Sequence, residues 1–259
     1  MDLQLRGKWA LVTGASQGIG AGIAKTLAEE GVNLHLTARN AERLQRLAAE
    51  IAPCGVKAHI HPIDITAPGA CEQLVERCRM LDILVNNAGV IPSGSLYEVA
   101  EPKWREGWEL KVFGYINLCR LVYPRMKAQG GGVIINNIGN AGEVFDPHYI
   151  AGSTGNASLM AFTRALGGHS LDDNIRVVGV NPGPVATDRI YTMLRKRAKL
   201  LYGDETRYGE LEARYPLRRP AHVREVADLI AFLASPRSGY TSGAVFTVDG
   251  GIASRRSII

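Results

Sequence analysis

Residues 9–20 read Trp-Ala-Leu-Val-Thr-Gly-Ala-Ser-Gln-Gly-Ile-Gly, and no other stretch limits the folds open to this chain so strongly. The apolar run at its start reads as a buried parallel strand. Gly14, Gly18 and Gly20 follow, and then Ile19, Ala21, Ile23, Ala24, Leu27 and Ala28 recur at helical spacing. A strand, a glycine turn and a helix in this order aim the helix N-terminus at one point. The open backbone N–H groups and the positive dipole end both favour an anion such as phosphate there. Glycine lets the backbone turn sharply and approach a pyrophosphate without a Cβ in the way. The spacing is Gly-x-x-x-Gly-x-Gly rather than Gly-x-Gly-x-x-Gly, so a tight turn without a ligand fits the same pattern.

Downstream, apolar runs alternate with helical patterns, which implies a parallel sheet in an α/β fold. Strands are expected near 8–13, 32–37, 57–62, 82–86, 132–138, 175–180 and 244–248. Helices are expected near 18–30, 40–51, 69–79, 102–128, 149–168 and 222–234. No repeat, low-complexity segment or long linker interrupts the 259 residues, so they read as one domain, 1–259. Apolar residues make up 46% of the chain, enough for a sizeable core, yet no run of about 18 suggests a membrane span. The N-terminus lacks the apolar run of a signal peptide. Cys54, Cys71, Cys78 and Cys119 show no metal-ligand spacing, so no metal is expected. Cys71 and Cys78 read as core, and thiols without a framework suit a reducing cytoplasm. The net charge of +5 is spread out, and no nucleic-acid module is legible.

The string Thr-Gly-Ala-Ser-Gln-Gly-Ile-Gly resembles the cofactor loop of the classical short-chain dehydrogenase/reductase family. Asn86-Asn87-Ala88-Gly89 and the Pro-Gly-x-x-x-Thr segment from Pro182 to Thr187 extend the resemblance over nearly the whole chain. It implies a Rossmann-like doubly wound fold, with a seven-stranded parallel sheet flanked by helices on both faces. It also implies a nicotinamide dinucleotide held by Gly14, Ser16, Gln17, Gly18, Ile19 and Gly20, then by Asp64, Ile65, Asn87, Ala88 and Gly89. On the nicotinamide side, Ser153, Pro182, Gly183, Val185 and Thr187 complete the set. Ala38 stands where relatives using NAD carry Asp, and Arg39 follows it. An arginine there pairs with a 2′-phosphate, so NADP(H) is favoured over NAD(H). An ordinary helix-flanking charge is the alternative for Arg39, as helix capping is for Asp64 or Thr66.

The family's chemistry uses Tyr, Lys, Ser and Asn, because a phenol with a pKa of about 10 needs a nearby cation to act near neutrality. Tyr149 matches the tyrosine, but Ser153 stands at the lysine of Tyr-x-x-x-Lys. Gly139, or Asn140 after a one-residue shift, replaces the serine, and Lys111 replaces the asparagine. Paired replacement suggests that the ammonium has moved, with Lys111 assisting Tyr149 and Asn140 polarising the carbonyl. A surface position is the ordinary alternative for Lys111. His148 reads as a rim residue, since neighbours on a helix do not face each other.

Residues 188–215 resemble the family's substrate lid. Tyr191, Met193, Leu194 and Tyr202 would wall an apolar pocket, and Arg189, Arg195, Lys196, Arg197 and Lys199 would attract an acidic or acyl-CoA-like substrate. Gly155, Ala157, Ala161 and Ala165 would let a partner helix approach, giving a homotetramer or homodimer. The expected activity is interconversion of an alcohol and a ketone or aldehyde. The alternatives are a non-catalytic dinucleotide-binding partner and altered lyase-type chemistry.

Overall fold

In the computed structural model, which describes residues 1–255, the strands form one parallel sheet ordered β3-β2-β1-β4-β5-β6-β7. They are β1 (Trp9–Thr13), β2 (Asn33–Ala38), β3 (Ala58–Pro62), β4 (Ile83–Asn86), β5 (Gly132–Asn137), β6 (Ile175–Pro182) and β7 (Val245–Val248). Their bounds fall within two residues of those expected from the apolar runs. All five positions of β1 and all eight of β6 are buried, because helices cover both faces. The strand order reverses between β1 and β4, which pair from Ala10↔Ile83 to Val12↔Val85. At such a reversal the connections leave in opposite directions and open a crevice at the strands' carboxyl ends.

Side chains alternate across the sheet, as a period of two requires. Ala10, Val12, Leu34 and Leu36 point to one face, against Ile23 and Leu27 of α1 (Gly18–Glu29), Leu44 of α2 (Ala41–Ile51) and Ile230 of α9 (Val223–Ala234). Leu11, Leu84, Ile134 and Val177 point to the other, against Leu74 of α3 (Ala70–Arg77) and Leu118 and Val122 of α5 (Gly114–Ala128). Each valine, leucine or isoleucine among them, fully buried, contributes about 1.5–3 kcal/mol. Arg176 in β6 is buried and donates to the carbonyls of Leu233, Ala234 and Ser235, closing the C-terminus of α9.

The long helix expected over 102–128 is broken into α4 (Glu101–Trp108), a π-helical turn (Glu109–Phe113) and α5. One extra residue per turn leaves the apolar periodicity on either side readable, so the sequence pattern conceals the turn. Of the four small residues on α6 (Ile150–Gly167), Gly155 is buried, and its Cα lies close to Ile91, Trp108 and Val112 within the same chain. Ala161 and Ala165 are exposed and Ala157 is half-buried. The segment 188–215, expected to be a substrate lid, contains α7 (Asp188–Tyr202) and α8 (Tyr208–Glu212). Leu194, Ala198 and Leu211 form its own small core with Tyr191, Tyr202 and Tyr208. Much of the apolar surface expected to wall a substrate pocket therefore packs internally, while Met193 stays exposed.

Candidate active site

The turn after β1 has the backbone of an anion cradle. Gly14 and Gly18 adopt φ of 65° and 57°, in the left-handed region where a Cβ is strained. A Cβ on Gly20 would overlap Gly14 O, so only glycine lets α1 start this close to β1. Gln17 precedes α1 without a side-chain cap, and the first turn carries no acidic residue. The helix N-terminus thus keeps N–H groups and positive potential for a phosphate. Thr187 Cγ2 lies 3.4 Å from the Cβ position of Gly18, so the segment after β6 closes over the same turn. Val185 is buried there and bridges Ala221, its carbonyl accepts from Thr187 Oγ1 at 3.3 Å, and Gly183 N donates to Val248 O at 3.0 Å. These residues fit a bound dinucleotide.

The outer end of the crevice is cationic. Arg39 is exposed after β2 and acts electrostatically on Asp64, whose carboxylate accepts from Thr66 N and Oγ1 at 3.0 and 2.7 Å. Burial alone would raise the Asp64 pKa, but the two Thr66 hydrogen bonds and Arg39 hold it below the ordinary value. Asn40 caps α2, and Arg43 in that first turn donates to Gln17 Oε1. Arg43 is a site candidate that the motifs did not mark, although it lies four residues beyond Arg39.

Beside the turn, asparagines knit the strand ends together. Thr13 Oγ1 accepts from Asn87 N and Ala88 N, both at 2.9 Å, and Asn87 Nδ2 returns a bond to Thr13 O at 2.9 Å. Asn137 Nδ2 donates to Asn87 Oδ1 at 2.8 Å. A second chain runs from Asn86 Nδ2 to Asn136 Oδ1 and from Asn136 Nδ2 to Thr163 Oγ1, each 2.9 Å. Ile65 is buried nearby and its Cδ1 lies 3.3 Å from the Cβ position of Gly114.

Lys111 sits in the π-helical turn. Its stem crosses Gly89, where a Cβ would meet Lys111 Cδ at 2.8 Å, and its Nζ donates to Ile138 O at the exit of β5. Part of the side chain still touches solvent, but burial of the ammonium, with Arg189 adding like-charge repulsion, pushes its pKa down to about 7. Lys111 is thus directed into the cleft.

Tyr149 occupies the position just before α6, half-buried, with φ of −139°. Its ring folds back along the helix, because a Cβ on Gly152 would overlap ring atoms Cε1 and Cζ. Asn156, four residues beyond Gly152, is buried on that same helix face, and its Nδ2 donates to Gly139 O at 3.3 Å. The phenol and Asn156 are therefore related through the ring's position over Gly152, not through a direct four-residue step from Tyr149. Ser153 is buried and its hydroxyl accepts from Asp146 N at 3.3 Å, an anchor for the preceding loop. Gly139 has φ of 119°, and Asn140 donates its amide to Asp249 Oδ2 at 3.2 Å. Asn140 is thereby turned toward the strand after β6, and Lys111 toward Ile138; no hydrogen bond joins either to Tyr149 among the described residues. His148 is exposed, and its carbonyl accepts from Gly94 N at 2.7 Å. Asn156 carries no motif signal, although it stands one helical turn beyond Gly152, over which the Tyr149 ring lies. Four amide oxygens, Asn86 Oδ1, Asn137 Oδ1, Asn156 Oδ1 and Asn181 Oδ1, are buried without a hydrogen-bond partner among the described residues. Buried acceptors of this kind ordinarily have a donor.

A family profile described as Enoyl-(Acyl carrier protein) reductase matches residues 14–253. The chain is 33% identical over 253 residues to Oxidoreductase UcpA of Salmonella typhimurium, covering 96% of this chain and 95% of that one. Among solved structures it is similar to L-sorbose reductase from Gluconobacter frateurii, complexed with NADPH and L-sorbose. That match has 35% identity, a TM-score of 0.91 and covers 97% and 98% of the two chains. It is also similar to a 7α-hydroxysteroid dehydrogenase complexed with NADH and 7-oxo glycochenodeoxycholic acid, at 29% identity, a TM-score of 0.85 and 96% coverage of each chain. With the parallel sheet, the glycine cradle at its switch point and these matches along nearly its full length, the chain belongs to the short-chain dehydrogenase/reductase family and is an oxidoreductase of that type.

Proposed function

We propose that the protein interconverts an alcohol and a ketone or aldehyde with NADP(H), using Tyr149 as the proton-transfer group and Lys111 in place of the family's lysine. The observation that carries this reading is convergence: Lys111 Nζ and Asn156 Nδ2 donate to the consecutive carbonyls of Ile138 and Gly139. They reach the end of β5 from two separate elements, the π-helical turn and α6. A dinucleotide bound in the crevice supplies or takes up the hydride. The phenol of Tyr149 gives a proton to the developing alkoxide, or accepts one in the reverse direction. A cation nearby would lower the cost of the phenolate, and Lys111, bonded at the end of β5, is assigned that role. Asn156 Oδ1 is buried without a protein donor among the described residues, and a ribose hydroxyl that reached it would satisfy it. Arg189 starts the lid and its charge reaches Lys111, so a substrate bearing a carboxylate or another acidic group is favoured.

Arg39 and Arg43 would together meet a 2′-phosphate. Replacing both by Ala is expected to weaken NADPH binding by roughly 10–100-fold while NADH binding changes little, as measured by fluorescence titration. The primary test follows NADPH oxidation against a panel of ketones, with and without a carboxylate. Turnover lost in Tyr149→Phe and strongly reduced in Lys111→Met supports the assignment, and Lys111→Met turning over like the parent overturns the lysine's role. The bond of Lys111 to a main-chain carbonyl, and that of Asn140 to Asp249, favour a second reading as a non-catalytic dinucleotide-binding protein. NADPH binding without turnover of any ketone in the panel would establish that one.

A further inference from the structure

Away from the cleft, three ligand-type side chains meet on the α3 face of the sheet. His35 lies in β2, His61 in β3, and Cys78 is the residue that ends α3. All three are buried, and their ligand atoms lie within 4.8 Å of one another. His35 Nδ1 and His61 Nε2 face each other at 3.0 Å, so in the metal-free protein one proton is shared along that line. The main chain of Met80 weakly favours the protonated form of the His35 ring, against the larger effect of burial. With one proton on that line, one of the two facing nitrogens already offers a lone pair. No hydrogen bond occupies Cys78 Sγ among the described residues.

We propose that His35, His61 and Cys78 form a binding site for a d10 metal cation, Zn2+ or Cu+. Two imidazoles and a thiolate are the donor set such ions take. In a metal complex these donors would stand roughly 3.3–3.6 Å apart, so the thiol side has about an ångström to close. Burial raises the Cys78 pKa to about 12, against a smaller opposing effect of the Arg125 guanidinium, so the thiol is protonated until a cation displaces its proton. Burial, with His61 and His59, holds the His35 pKa down to about 4, which leaves that imidazole neutral. Binding forms one metal–sulfur and two metal–nitrogen bonds and releases the thiol proton. The proton between the two rings moves to the outer nitrogen of its own imidazole, so that His35 Nδ1 and His61 Nε2 both offer lone pairs. With one thiolate, Cu+ gives a neutral centre and Zn2+ a centre of charge +1. Arg77 and Arg125 lie close enough to disfavour the extra charge. The exposed ring of His59 stacks 5.2 Å from His35 and marks the side nearest solvent. Because the ligands come from two strands and a helix end, a bound ion would clamp the edge strand β3 and α3 to the sheet.

The test uses the full chain, metal-free and reduced, and does not read activity. Co2+ as a probe is expected to give a thiolate-to-cobalt charge-transfer band, and Zn2+ or Cu+ to bind one per chain with a rise in melting temperature. Cys78→Ser is expected to abolish the band and weaken binding by roughly 100-fold or more, and His61→Asn to weaken it similarly, while Cys54→Ser changes neither. X-ray absorption of the wild-type complex is expected to show both nitrogen and sulfur neighbours, which holds even where a variant fails to fold. Absence of the band together with less than about one-tenth metal per chain after desalting overturns the proposal. So does binding that survives Cys78→Ser unchanged.

Discussion

Tyr149 and Gly152 act as a pair. The ring rests where any side chain at 152 would begin, so the phenol's place depends on an absent methyl group. Gly152→Ala should raise intrinsic helix stability by about 0.5–1 kcal/mol, because glycine is unfavourable inside a helix. It should nevertheless displace the ring and lower kcat by roughly 100-fold, since an ångström of misplacement costs that much. A thermal melt unchanged or raised, beside collapsed turnover, is the expected signature; retained turnover would mean that the ring does not need this seat. Lys111 sets a second expectation. Its pKa near 7 leaves it charged below that pH and neutral above, so its support for the phenolate fades as pH rises. The kcat/KM for carbonyl reduction should therefore fall with a limb near pH 7, and that limb should vanish in Lys111→Met. A glycine whose role is to leave room carries no motif, and Asn156 and Arg43 were equally silent in the sequence. The substitutions at 111, 139, 140 and 153 were visible, but the bonds they form were not.

At the level of elements, the π-helical turn and the asparagine chains do what single residues cannot. The turn adds one residue between two ordinary helices and aims Lys111 across Gly89. Apolar spacing reports which face is buried, not whether a turn closes through four or five residues, so a continuous helix was the natural expectation. The chain Asn86–Asn136–Thr163 joins β4, β5 and α6 through buried side chains. Thr163→Val keeps the shape but removes the acceptor for Asn136 Nδ2. Leaving that donor unpaired in the core should cost about 1–3 kcal/mol, measured as a lower urea midpoint with an unchanged slope.

For the whole molecule, the sheet was the most legible part, because strands buried on both faces must be continuous apolar runs and their ends fall where polarity returns. Strand order was not readable from those runs; the structure gives it, with the reversal between β1 and β4. A ligand bound across that reversal touches both halves of the sheet and should stabilise the molecule as a unit. At a hundredfold excess over its Kd, NADPH should add about 2.7 kcal/mol. For a chain of this size that is a melting-temperature rise of about 5–10 °C, and no shift would exclude tight dinucleotide binding. The position of Tyr149 just outside α6 has a consequence at this scale too. The hydroxyl group is carried by the last residue of the 140–149 connection, tethered through Asp146 to Ser153, and not by the helical barrel itself. Exchange of that connection can shift the phenol along the crevice while every layer of the core stays as it is, so variation among descendants of this scaffold should retune reactivity through loop length before it touches the helix.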